Sequence, residues 1–205
     1  MTDFLPRQKD QHFLVTGAGT GIGQSIALRL AAEGAKVSLV GRTTATLEDT
    51  ATRIDAMGGS AQVLAADVRD RDHISAAVDA AADWQGPFRG VIANAGVGGP
   101  NGPGPDDRFD DLIQTNLIGT YSTLRAVQEH LAPEGLRHMV VISSCLGRFG
   151  VPHYTGYCAS KTGLLGLVRA LSLELARLGQ LLGGLFAADA FVASCGVVGL
   201  FGGRP

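Results

Sequence analysis

The chain has 205 residues, 45% hydrophobic and 18% charged, which excludes a disordered polymer and suits one domain with a single core. Its net charge of −2, from 17 basic and 19 acidic residues without a Lys/Arg run, argues against nucleic acid as a partner. The three cysteines, Cys145, Cys158 and Cys195, lack zinc spacing and read as small apolar side chains in a reducing compartment; no metal is expected. The first nine residues carry no apolar core of the kind a secretory leader needs, so the expected location is cytoplasmic.

Gln11 to Thr16 predicts a first strand, running into Thr16-Gly17-Ala18-Gly19-Thr20-Gly21-Ile22-Gly23. A helix follows, with Ile22, Ile26 and Leu30 at four-residue spacing. Such a turn lets backbone N–H groups approach a phosphate, and the helix N-terminus favours the negative charge. The glycines follow G-x-x-x-G-x-G at Gly17, Gly21 and Gly23; Ile22 occupies the third place of the alternative G-x-G-x-x-G. Lys36 to Val40 predicts a second strand ending at Gly41-Arg42. An acid at that strand end would hold ribose hydroxyls; here there is none, and Arg42 can accommodate a 2′-phosphate.

Leu47 to Met57 predicts a helix ended by Gly58-Gly59. Ala61 to Ala66 is a third strand, followed by Asp67-Val68, and Asp70 caps a helix through Ala82. Phe88 to Ala93 is a fourth strand leading into Asn94-Ala95-Gly96 and a Gly/Pro-rich loop over 96–105. One long helix is expected from Asp107 to Leu131, on the spacing of Ile113, Leu117, Thr120, Leu124, Val127 and Leu131. Met139 to Ser143 is a fifth strand. Tyr154 to Leu178 is a second long helix, striped by Leu164, Leu167, Leu171, Leu175 and Leu178.

This alternation predicts an α/β fold: a doubly wound parallel sheet with helices on both faces, in a single domain over 1–205. Ligands of such sheets bind at the carboxyl ends of the strands, where the glycine turn, Arg42, Asp67, Asn94 and Ser144 all fall. In the second long helix Tyr157 and Lys161 are four apart and share a face. A fixed ammonium beside a phenol favours its charged form and makes it a usable proton donor. Ser144, at the end of the fifth strand, is placed to share a substrate oxygen with it. Taken alone, the pair also reads as an ordinary helix-surface contact.

Together these pieces resemble the short-chain dehydrogenase/reductase family. The matching segments are Thr16 to Gly23, Asp67-Val68, Asn94-Ala95-Gly96, Asn116, Ser143-Ser144 and Tyr157-x-x-x-Lys161, in the family's order over residues 10–178. Within the family the chain is most similar to bacterial 3-oxoacyl and polyketide-type ketoreductases. The resemblance implies a Rossmann-like fold and reaction on a small carbonyl or secondary alcohol. Tyr157 would be the general acid, and Lys161 would favour its charged form and bond the nicotinamide ribose. Ser144 would polarise the carbonyl, and Asn116 would hold a water linking Lys161 to solvent.

Gly17, Gly19, Thr20, Gly21, Ile22 and Gly23 would hold the cofactor phosphates. Asp67 would accept from the adenine amine beside Val68. Asn94, with Ala95 and Gly96, would brace the sheet and line the site. Arg42 favours NADP(H), with NAD(H) as the alternative, although Thr20 stands where many NADP-using relatives carry a basic residue. The resemblance also implies a homotetramer built on the two long helices, the second of which is apolar beyond one stripe at Leu165 and Val168.

His153, four before Tyr157, is either a substrate contact or a solvated loop histidine; His12, His73, His130 and His138 are scattered. Residues 179–205 depart from the family pattern, in which a sixth strand, a Pro-Gly turn and a substrate lid follow. No Pro-Gly is present. Leu181 to Phe201 is long enough to cross a membrane, but Asp189 near its middle would cost about 2.5–3.5 kcal/mol, so no membrane is expected. A buried or poorly ordered tail is expected, with truncation or a shifted frame as alternatives. The second functional reading is a dinucleotide-binding sensor or partner subunit without turnover.

Overall fold

The computed structural model describes residues 7–177 and the backbone of 182–188. Six strands form one parallel sheet: β1 (His12–Thr16), β2 (Lys36–Gly41), β3 (Ser60–Ala65), β4 (Gly90–Ala93), β5 (Arg137–Ile142) and β6 (Leu182–Ala188). Their spatial order is β3-β2-β1-β4-β5-β6. The chain builds outward from β1 to β3, then returns to the other side of β1 for β4. That reversal opens a crevice at the carboxyl ends of β1 and β4, the usual seat of a ligand in such sheets.

Alternation along each strand divides the core into two layers. Phe13, Val15, Val37, Leu39, Ile92 and Val140 meet α1 (Gly21–Ala32) and α2 (Thr44–Asp55) through Ala27, Leu30, Leu47 and Ile54. Leu14, Val40, Val91, Met139 and Val141 face α3 (Arg71–Gln85), α5 (Gly119–Gln128) and α6 (Thr155–Arg177) through Ile74, Val78, Leu124, Leu164 and Leu171. Asp70 caps α3 as expected, accepting from the N–H groups of Asp72 and His73. His12 is a core tie: its ring nitrogens lie 2.9 Å from Gly86 O and from Ser38 Oγ. Burial pushes its imidazole below the ordinary histidine value.

Two expectations change. The helix predicted over 107–131 is broken into α4 (Phe109–Ile113), a π turn (Gln114–Ile118) and α5. The hydroxyls of Thr120 and Thr123 donate to the carbonyls of Asn116 and Gly119, each at 2.8 Å, competing with the regular ladder. Gly119 also packs against Val68, and a Cβ there would lie 2.7 Å from Val68 Cγ2. The apolar spacing survives this interruption, which is why it does not reveal it.

The second change concerns the C-terminal segment, where the usual fold was expected to be missing or altered. The sixth strand is present: β6 runs parallel to β5 from Arg137↔Leu182 to Ile142↔Ala188, with a register shift between Arg137 and His138. Leu182-Gly-Gly-Leu-Phe-Ala-Ala188 contains no β-branched residue, so propensity does not announce it; pairing with β5 defines it. Part of the candidate span at 181–201 is therefore strand, and Asp189 and the rest lie outside the described residues. Among the described residues no helix is long and apolar enough to cross a membrane.

Candidate active site

A cleft of about 450 Å³ runs along the carboxyl ends of the strands, from Arg42 at one end to Tyr157 and Lys161 at the other. Gly17, Gly19, Thr20, Gly21, Ile22, Asp67, Val68, Asn94, Ala95 and Gly96 all line it, so the structure brings together nearly every residue proposed for cofactor binding. The glycine turn is held at Gly17 and Gly23 by contacts that tolerate no side chain. Gly17 has φ +66°, and a Cβ on it would lie 2.9 Å from Asn94 Nδ2; one on Gly23 would collide with the Gly17 carbonyl oxygen. Asn94 braces the turn as expected: its Nδ2 donates to Thr16 O at 3.0 Å and its N–H to Thr16 Oγ1 at 3.1 Å. Helix α1 begins directly behind the turn, and Thr20 at its N-cap makes no side-chain cap to its first N–H groups.

At the Arg42 end, Asp67 is gripped by Arg69, a residue the sequence reading missed. Arg69 Nη2 donates to Asp67 Oδ2 at 2.6 Å, Nε donates at 3.0 Å, and the Arg69 N–H reaches Oδ1 at 3.0 Å. These bonds, with a smaller contribution from Arg42, hold the Asp67 carboxyl below the usual carboxylate range. Arg69 also reaches Asp111 on α4 at 3.2 Å. The spacing Asp67-Val68-Arg69 was the available signal. Arg42 is exposed on the cleft rim, and among the described residues it forms no ion pair within 4 Å.

At the other end, Lys161 is 5% exposed, and its Nζ donates to Ile142 O at 2.8 Å. Burial pushes the ammonium down to about 8. Its Nζ lies 5.7 Å from the centre of the Tyr157 ring, the two side chains sharing one face of α6. Ser143 lines the cleft and donates from Oγ to Lys161 O at 3.1 Å. Ser144 lies beside this wall: it is buried, and its Oγ accepts from the Leu146 N–H at 3.2 Å, starting a 3₁₀ turn over Cys145–Gly147.

Asn116 sits fully buried in the π turn. Its Oδ1 accepts from Val97 N–H at 2.8 Å, while Nδ2 donates to Val97 O at 3.0 Å and Ser160 Oγ at 3.1 Å. The amide proposed to hold a water is thus committed to the cleft wall and to α6. His153 is exposed at φ +65°, and its carbonyl accepts from the Asn101 N–H.

The cleft also fits a dinucleotide by what it leaves unsatisfied. Thr115 Oγ1, in the π turn on the cleft wall, is buried without a hydrogen-bond partner among the described residues. With the glycine turn and the N-terminus of α1, it forms a polar lining that a ligand rich in phosphate and hydroxyl groups would satisfy. Fold and site together define a dinucleotide-binding protein of the doubly wound class, with a Tyr–Lys pair at one end of its cleft.

The short chain dehydrogenase family model matches residues 11–180. Levodione reductase of Leifsonia aquatica is 35% identical over 178 residues, covering 84% of this chain and 67% of that protein. A carveol dehydrogenase from Mycobacterium avium, solved in complex with NAD, superposes with a TM-score of 0.79 at 30% identity, covering 83% of this chain and 68% of that one. A 3-ketoacyl-ACP reductase from Sinorhizobium meliloti 1021 superposes with a TM-score of 0.76 at 38% identity, covering 81% and 67%. The chain belongs to the short-chain dehydrogenase/reductase family of nicotinamide-dependent oxidoreductases.

Proposed function

We propose that the chain is an NADP(H)-dependent oxidoreductase that interconverts a carbonyl and a secondary alcohol, in the manner of a ketoreductase. The observation that carries this is the Tyr157–Lys161 pair at one end of a cleft whose other end presents Arg42. When bound, the dinucleotide supplies or accepts the hydride. The protein binds the phosphates on the glycine turn and the α1 N-terminus. Asp67 accepts from the adenine amine, its remaining lone pairs lying beside Arg69. Arg42 pairs bidentately with a 2′-phosphate.

In the reducing direction, Tyr157 Oη gives a proton to the substrate oxygen. Lys161, mostly protonated at neutral pH even at about 8, keeps positive charge beside the phenolate that forms. Ser144 contributes the second hydrogen bond to that oxygen. Its hydroxyl accepts from Leu146 and so retains its own proton, which is now directed at the weak acceptor Cys145 Sγ, 3.9 Å away. The reductase and dehydrogenase names of the relatives support reaction in either direction.

The test is NADPH oxidation with a panel of ketones, alongside NADPH binding by fluorescence. NADPH binding without turnover of any ketone, or of any alcohol with NADP⁺, would replace this proposal by the sensor or partner-subunit reading. We propose further a homotetramer, supported by Leu165 and Val168, only partly covered on α6, and by Leu173 at 66% exposure. Light scattering giving only a monomer would overturn it. The free thiols of Cys145 and Cys158 support a cytoplasmic location, which cell fractionation tests.

A further inference from the structure

The segment 96–108, between β4 and α4, is rich in Gly and Pro and mostly exposed, yet one of its residues, Asn101, is buried to 8% exposure. An amide withdrawn from water in such a loop must satisfy its bonds internally, and Asn101 does so against the start of α6. Its Oδ1 accepts from the Gly156 N–H at 2.9 Å. Thr155 Oγ1 lies 3.0 Å from its Nδ2 and 3.2 Å from its Oδ1. Nδ2 also donates to Asp107 Oδ1 at 3.0 Å, and the Asn101 backbone N–H donates to His153 O at 2.7 Å. The first N–H groups of a helix have no partner within it. Here one of them is capped from 55 positions away in the chain, immediately before Tyr157.

We infer that Asn101 is the positioning residue for Tyr157. It touches neither the cleft nor the reacting atoms; it sets where α6 begins, and so where the Tyr157 ring stands. The loop is pinned twice, by Asn116 at Val97 and by Asn101 at residues 155 and 156. Between the pins it passes over Tyr157, since a Cβ on Gly98 would lie 3.8 Å from Tyr157 Cε2. Losing the second pin frees the first turn of α6 and the loop covering it together. A shift of reacting groups by about 1 Å costs on the order of 10²-fold in rate.

The inference rests on Tyr157 being the proton donor, so its test includes a readout independent of turnover. The full chain, labelled at the tyrosine ring carbons, has only three tyrosines to assign, Tyr121, Tyr154 and Tyr157, and Tyr157→Phe identifies the last. In Asn101→Ala the Tyr157 resonance is expected to move while Tyr121 stays. With NADPH and a ketone, kcat should fall about 10- to 100-fold, with KM changed less and the NADPH Kd within about two-fold. Thr155→Val, which keeps the Gly156 bond, should move the same quantities in the same direction by less. An unmoved Tyr157 resonance in a folded Asn101→Ala chain overturns the proposal, as does a loss of kcat that only tracks the folded fraction. If Asn101→Ala does not fold, the resonance in Thr155→Val decides. If the wild-type chain turns over no ketone, the resonance alone decides, so failure of the proposed function and failure of this inference are separable.

Discussion

The two ends of the cleft are built by different means. The glycine-turn end is held by backbone: β1, β2 and β3 lie in unbroken register, and the turn between β1 and α1 closes because Gly17 and Gly23 leave no side chain in the way. The Tyr157–Lys161 end is held by side chains that reach across the chain. Asn116 grips Val97 and Ser160, Lys161 reaches Ile142 O, Ser143 reaches Lys161 O, and Asn101 caps Gly156. The first end tolerates many side-chain changes but no added carbon at Gly17 or Gly23. The second tolerates backbone irregularity, a π turn included, but not the loss of a polar group. Binding and turnover should therefore be separable by mutation.

The largest break in that comparison is Tyr157→Phe. Removing the proposed proton donor should lower kcat by about 10²- to 10⁴-fold, with NADPH binding unchanged by fluorescence titration. Turnover within a few-fold of wild type would place the acid elsewhere.

Lys161 sharpens the contrast through pH. Its folded value, about 8, lies below its ordinary 10.5. Below pH 8 both folded and unfolded chains carry the proton, and the full penalty of burying the charge is present. Between about 8 and 10.5 the unfolded chain binds more protons than the folded one, so the stability of the cofactor-free protein rises with pH. Lys161→Met should remove that rise, a difference on the order of 3 kcal/mol across the window, while abolishing turnover. Urea unfolding of both chains at pH 7 and pH 10 measures it; parallel pH dependences would mean that burial does not disfavour the ammonium.

Gly23→Ala attacks the other end. The new methyl group would meet the Gly17 carbonyl oxygen and Asn94 Nδ2, neither of which belongs to a flexible side chain free to move. Overpacking of this kind costs about 1–3 kcal/mol, and NADPH should bind at least about ten-fold more weakly because the turn itself is displaced. An unchanged Kd would show that the turn has more room than its contacts indicate. The smallest effect is expected from Arg42→Ala, a rim residue with no ion pair within 4 Å among the described residues. It should shift the ratio of kcat/KM for NADPH over NADH by about ten-fold, the worth of roughly 1.4 kcal/mol, and leave NADH turnover alone. A wild-type preference for NADH would remove Arg42 from the cofactor assignment.

What the sequence made legible follows the same division. The glycine turn, the strand ends and the Tyr157–Lys161 spacing are written in neighbouring residues or in one helical period, and all appear where expected. The Asn101 cap was hidden because its partners lie 54 and 55 positions away. The π turn was hidden because Leu117, Thr120 and Leu124 keep their apolar rhythm across it. Arg69 was missed although its spacing from Asp67 was visible, because the two lie outside regular structure, in the turn between β3 and α3 that brings them together. Of the serine pair, strand geometry puts Ser143 on the cleft wall and Ser144 beside it, where its Oγ also accepts from the Leu146 N–H.

The placement of β1 between β2 and β4 has a consequence for synthesis. β2 follows β1 at once, but the strand that covers its other side, Phe13–Val15 against Gly90–Ile92, is made much later. At about 5–20 residues per second, the roughly 75 intervening residues take ~4–15 s to emerge. Throughout that interval a strand with all five residues destined for burial presents an unpaired edge to the cell. Nascent chains arrested before and after residue 93 should therefore differ sharply in protease cleavage near β1, and the vulnerable moment of this protein's life belongs to the ribosome rather than to the finished fold.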